Sequence, residues 1–62
     1  MNLAKVFGQN LARLREAKGL AQSDLGHQPR IADYEAGRRV PRFSTVEEIA
    51  ARLKCDPREF FR

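Results

Sequence analysis

The sequence predicts an all-α fold, a compact bundle of five short helices, on three observations. Apolar residues recur at intervals of three and four, helix-start and helix-stop residues stand at the ends of those runs, and no run alternates with the period of two that marks a half-buried strand. With 62 residues the chain makes one domain, residues 1–62, with no internal repeat. A domain of this size buries only roughly 60% of the surface its unfolded form exposes, so a partner subunit would add to a marginal core.

The first helix rests on Leu3, Val6, Phe7, Leu11, Leu14 and Ala17, with Gly19 where a left-handed C-terminal cap belongs. Gly8 inside it costs about 1 kcal/mol against alanine and so marks close approach by a neighbouring helix. In "LAQSDLGHQ", Leu20 and Leu25 are core candidates, but the space between Gly19 and Gly26 allows only a short second helix. Pro29 fits the first position of a third helix, where its missing N–H is not needed and its φ is already helical. Ile31 and Tyr34 share that helix's inner face, and Gly37 ends it. "RRVPR" reads as a loop, because Val40 before Pro41 is pushed to extended geometry. Ser44 as cap with Glu47 three residues on predicts a fourth helix, buried through Val46, Ile49, Ala50 and Leu53. "DPREFF" repeats the device with Asp56 as cap, Pro57 at the first position and Glu59 closing the box.

Composition narrows the function. One cysteine, Cys55, and one histidine, His27, give neither an internal disulfide nor a four-ligand zinc site, so no cofactor or metal is expected. Lys5, Arg13, Arg15 and Lys18 interrupt the apolar residues of 1–19, which argues against a signal peptide or membrane span and for a soluble, cytoplasmic protein. His27, Ser23 and Cys55 are not brought into one cleft by anything in the sequence, so neither an enzyme nor a small-molecule substrate is expected. The net charge of +4 is uneven: residues 1–19 carry +3, 20–37 carry −2, 38–43 carry +3, and 44–62 balance. A local basic cluster suits a polyanion, although it is also what a solubilising surface can look like.

"FGQNLARLREAKGLAQSDL", "IADYEAGRRVP" and "VEEIAARLKCDPREFF" resemble, in that order, the small Cro/C1-type (XRE family) helix-turn-helix domains of phage and bacterial repressors, the lambda-repressor-like fold. The resemblance implies a transcriptional regulator, a repressor that binds double-stranded DNA at a palindromic operator as a homodimer. In such domains the second helix braces the backbone and the third enters the major groove. By position, the resemblance implies base reading by Gln28, Arg30 and Asp33, and phosphate contacts from Gln22, Arg38, Arg39 and Arg42. It implies a structural ion pair between Arg15 and Glu35. Phe60 and Phe61 are expected at the dimer interface, since two adjacent phenylalanines do not both fit so small a core; one buried and one partly exposed is the plainer alternative.

One departure stands out. Gln22 and Glu35 lie 13 positions apart, where such domains usually need about 18 to fit brace, turn and recognition helix. Keeping Leu25 and Gly26 as closing leucine and turn glycine removes about four residues from the brace, close to one turn, so Leu25 stays in phase while the brace shortens by about 6 Å. A shortened brace raises an alternative function, a protein-interaction module of antitoxin or antirepressor type that has lost DNA reading.

Overall fold

The computed structural model describes residues 2–62. Three α-helices and two 3-10 segments follow in order: α1 (Leu3–Ala17), a 3-10 turn (Gln22–Asp24), α2 (Gln28–Glu35), α3 (Phe43–Leu53) and a C-terminal 3-10 helix (Pro57–Phe61). The all-α expectation holds, and the described residues contain no strand.

The N-terminus of α1 is capped by Asn2, whose side-chain oxygen accepts from the Lys5 N–H. At its other end Gly19 takes φ +67. The Gly19 N–H donates to the Glu16 carbonyl and the Leu20 N–H to the Arg15 carbonyl, which satisfies the last carbonyls and turns Leu20 onto the core. Gly8 is where α1 meets α2. A Cβ there would lie 2.2 Å from the Tyr34 carbonyl oxygen and 2.8 Å from that of Glu35, so only glycine lets the two backbones touch.

Around that contact the core closes on Phe7. Its ring meets Tyr34 edge-on at 6.0 Å and Phe60 at 5.1 Å, while Leu11, Ile31, Ile49 and Leu53 fill the remaining space. Leu25 is buried as well, so the shortened brace does keep its closing leucine in phase. The side chain of Asn10 ties α1 to the chain end, donating to the carbonyls of Phe60 at 2.9 Å and Arg62 at 3.1 Å.

Four predicted details change. Phe60 is 0% exposed, so it is a core residue and offers no surface to a partner; both phenylalanines of the closing 3-10 helix reach Phe7, Phe60 at 5.1 Å and Phe61 at 6.0 Å, but only Phe61 keeps an exposed edge. Pro29 occupies the second position of α2, because His27, already extended at ψ 116, serves as the cap and Gln28 comes first. Ser44 does not cap α3. Arg42 already has the extended backbone a cap requires (ψ 157), so the helix begins at Phe43 and leaves Ser44 in its first turn without a capping bond. Glu59 turns to Arg62 at 3.5 Å instead of back to the Asp56 amide. Asp56 itself is the expected cap, and hydrogen bonds from the Arg58 side chain and then its backbone hold the carboxyl down to about 2.

Candidate nucleic-acid interface

The two ends of α2 are held by unlike means. Its C-terminal end is bolted to α1. Arg15 donates through Nε to Glu35 Oε2 at 2.6 Å and through Nη2 to Oε1 at 3.1 Å, and its Nη1 donates to the Leu20 carbonyl at 2.7 Å. Gln22 completes the group, its Nε2 donating to Glu35 Oε1 at 3.0 Å. One carboxylate therefore joins α1, the brace and α2. The pair is largely out of water, with side chains 13% and 10% exposed, and the hydrogen bond to Glu35 raises the Arg15 guanidinium pKa further.

The bond to Glu35 redirects Gln22. One N–H of its side-chain amide is used on Glu35, so any phosphate contact at this position falls to the other side-chain N–H and to the backbone N–H groups of the turn. The brace is a single 3-10 turn. Ala21 supplies no side-chain cap, but Asp24 Oδ2 accepts from the Ala21 N–H at 2.7 Å, which is half of a capping box. Rigidity that a longer helix would draw from its own hydrogen bonds comes here from Gln22 on Glu35.

At its N-terminal end α2 is open. Gln28, Pro29 and Arg30 are all exposed, and the proline presets the backbone just where the brace is short. Arg30 points toward the start of α3. There it lines a polar cleft of about 360 Å³ with Tyr34, Arg39, Arg42, Ser44, Thr45 and Glu48. Among the described residues, Arg30, Arg39 and Arg42 make no ion pair, whereas Arg15, Arg38, Arg58 and Arg62 each do. Ser44 and Thr45 bring the first turn of α3, which has no side-chain cap, to the cleft, so three arginines outside any ion pair line it against one carboxylate, Glu48, beside an uncapped helix start. That arrangement suits an anion.

Arg38 stands apart from its neighbours. It folds back along α2 and donates from Nε and Nη2 to Asp33 Oδ1 at 3.2 and 3.1 Å. The expected base reader Asp33 and the expected phosphate contact Arg38 are thus joined to each other. Phe61 remains 46% exposed, at the edge of an apolar recess of about 140 Å³ lined with Leu3, Ala4, Phe7, Val40, Pro41, Phe43 and Val46. Val40 and Phe43 are 77% and 89% exposed. Neither stood out in the sequence, because "RRVPRF" read as a basic loop and Phe43 fell before the expected helix start. Ser44 reads from the sequence as a helix cap rather than a cleft residue, and no local signal marks Thr45.

Five helical segments with a brace, a turn and an exposed second helix beside a basic cleft define a helix-turn-helix DNA-binding protein. A family signature described as helix-turn-helix matches residues 11–60, and the chain belongs to that family, in its Cro/C1-type (XRE) branch. It is 38% identical to the uncharacterized HTH-type transcriptional regulator y4dJ of Sinorhizobium fredii (strain NBRC 101917 / NGR234), over 86% of this chain and 75% of that protein. Among solved structures it is similar to the restriction-modification controller protein C.AhdI from Aeromonas hydrophila, with a TM-score of 0.89 and 33% identity over 94% of this chain and 96% of that one. The chain is a DNA-binding regulator of transcription. None of the described helices is long and apolar enough to cross a membrane.

Proposed function

We propose that the protein is a sequence-specific repressor that binds a palindromic operator as a two-fold homodimer. The observation that carries this reading is the convergence of Arg30, Arg39 and Arg42 on the uncapped start of α3, beside the exposed first turn of α2. Phosphate in that cleft would fix the register of the protein on the duplex, and Gln28, at the first position of α2, would then face base edges, where its amide suits adenine. Arg30 lies between the two and can reach either. Repression follows if the bound dimer occludes a promoter.

The dimer surface in this reading is the recess edged by Leu3, Val40, Phe43 and Phe61, with a second copy as its occupant. Four exposed large apolar side chains around one recess are more than scattered surface hydrophobics. Val40 and Phe43 share the loop of Arg39 and Arg42, so pairing here sets two basic loops side by side on one face of the dimer. The body measures 28 × 23 × 21 Å, a width compatible with half-sites roughly 34 Å apart.

Selection of bound fragments from a random duplex pool tests the reading: a palindrome with half-sites about one helical turn apart is expected. Affinity should fall with salt by a log–log slope of about 0.9 per phosphate contacted. Phe43→Glu should leave the monomer folded and weaken binding to the full palindrome far more than to a half-site. If the wild-type chain binds no duplex even at low salt, the interaction-module reading takes its place.

A further inference from the structure

We infer that Asp33 is a positioning residue that keeps Arg38 on the face of α2, away from phosphates and toward base edges, so that it raises discrimination at the expense of affinity. The inference rests on the DNA-binding reading above. Its ground is the way α2 ends. Gly37 takes φ +75, its N–H donates to the Tyr34 carbonyl, and the Arg38 N–H donates to the Asp33 carbonyl at 2.9 Å. This closure fixes the Arg38 backbone relative to Asp33 and aims the side chain back along the helix rather than out along the loop.

The guanidinium then binds Asp33 through Nε and Nη2, both to Oδ1. Arg38 Nη1 and Asp33 Oδ2 have no hydrogen-bond partner among the described residues and remain able to bond to a ligand. Asp33 lies one helical turn from Arg30, on the same exposed side of α2 as the proposed base readers. A free arginine here would grip any phosphate and add affinity that carries no sequence information. A free aspartate would repel the duplex. Joined, they form a unit without net charge that adds little to sequence-independent binding but still offers a donor and an acceptor to a base pair. The loop arginines therefore divide: Arg39 and Arg42 line the anion cleft, while Arg38 is held out of it. With side chains 67% and 38% exposed, the pair is weak enough for a single substitution to release Arg38.

The test measures binding of the full-length wild type, Asp33→Asn, Arg38→Ala and the double variant to a random duplex and to the best selected duplex, by fluorescence anisotropy between about 50 and 200 mM salt. Asp33→Asn should bind the random duplex about twofold to fivefold more tightly. Its salt slope should steepen by about 0.9, one added phosphate contact, and its selected-to-random ratio should fall. In the Arg38→Ala background the same change should move slope and ratio much less, because no arginine is left to release and only the repulsion by a free aspartate is relieved. An unchanged slope and ratio in Asp33→Asn overturns the inference, as does the same change with and without Arg38, which would be a plain charge effect. Failure of the wild type to bind any duplex overturns the DNA-binding reading itself, and this inference with it.

Discussion

Two arginine–carboxylate pairs flank the end of α2, and they behave as opposites. Arg15–Glu35 is enclosed, makes three hydrogen bonds to Glu35 when Gln22 is included, and joins three segments of the chain. Arg38–Asp33 lies on the surface, uses one carboxylate oxygen and joins residues five apart. The first cannot lose a member without leaving a charge stranded in a poorly hydrated place. The second can open at little cost, since water and salt take over for either partner. Similar chemistry thus gives a fixed joint on one side of the helix and an exchangeable contact on the other, and burial alone separates them.

The sharpest way to break the contrast is Glu35→Ala. It should destabilise the fold by about 3–5 kcal/mol, as a buried guanidinium loses its counter-charge, and urea unfolding should show a chain this small near or past its limit. Gly8→Ala attacks the same joint from the α1 side. The new methyl meets backbone carbonyls, which do not move aside as a flexible side chain would, and a loss of about 1–3 kcal/mol or more in the same assay is expected.

Gln22→Ala leaves the ion pair intact and removes the bolt of the brace. It should cost about 1–2 kcal/mol and raise amide hydrogen exchange in residues 21–26 first, before α1 is affected. On the exposed side, Asp33→Asn should change stability by less than about 1 kcal/mol, with the remaining difference vanishing near 1 M salt. The smallest effect belongs to the other exposed pair, Asp56–Arg58. Asp56 is held at about 2 against an ordinary 3.8, so its stabilisation is complete above about pH 4 and is lost as pH falls toward 2. Thermal melts of Asp56→Asn should therefore differ from wild type at neutral pH and converge with it in acid.

Much of the fold could be read along the chain because its signals are local. Period-three and period-four apolar residues placed α1 and α3, Gly19 and Gly37 placed two helix ends, and the in-phase shortening kept Leu25 in the core. Gly8 announced a close neighbour, though only the structure identified that neighbour as the backbone at the end of α2. Where several residues could start a helix, local signals failed: Arg42 and not Ser44 precedes α3, since an extended backbone after a proline serves as a cap even without a side-chain acceptor.

The sequence by itself determined the helical class, the family and the basic character of residues 38–43, because periodicity, motif order and charge need no third dimension. Tertiary structure decided how those charges are used. It buried Phe60 and left Phe61, Val40 and Phe43 outside, turned Gln22 inward onto Glu35, and sorted four arginines into three that face an open cleft and one that faces Asp33. The physical reason is that a side chain's partner is set by which segments the core brings within hydrogen-bonding distance, and residues as far apart in sequence as Gln22 and Glu35 meet only once α1, the brace and α2 have packed.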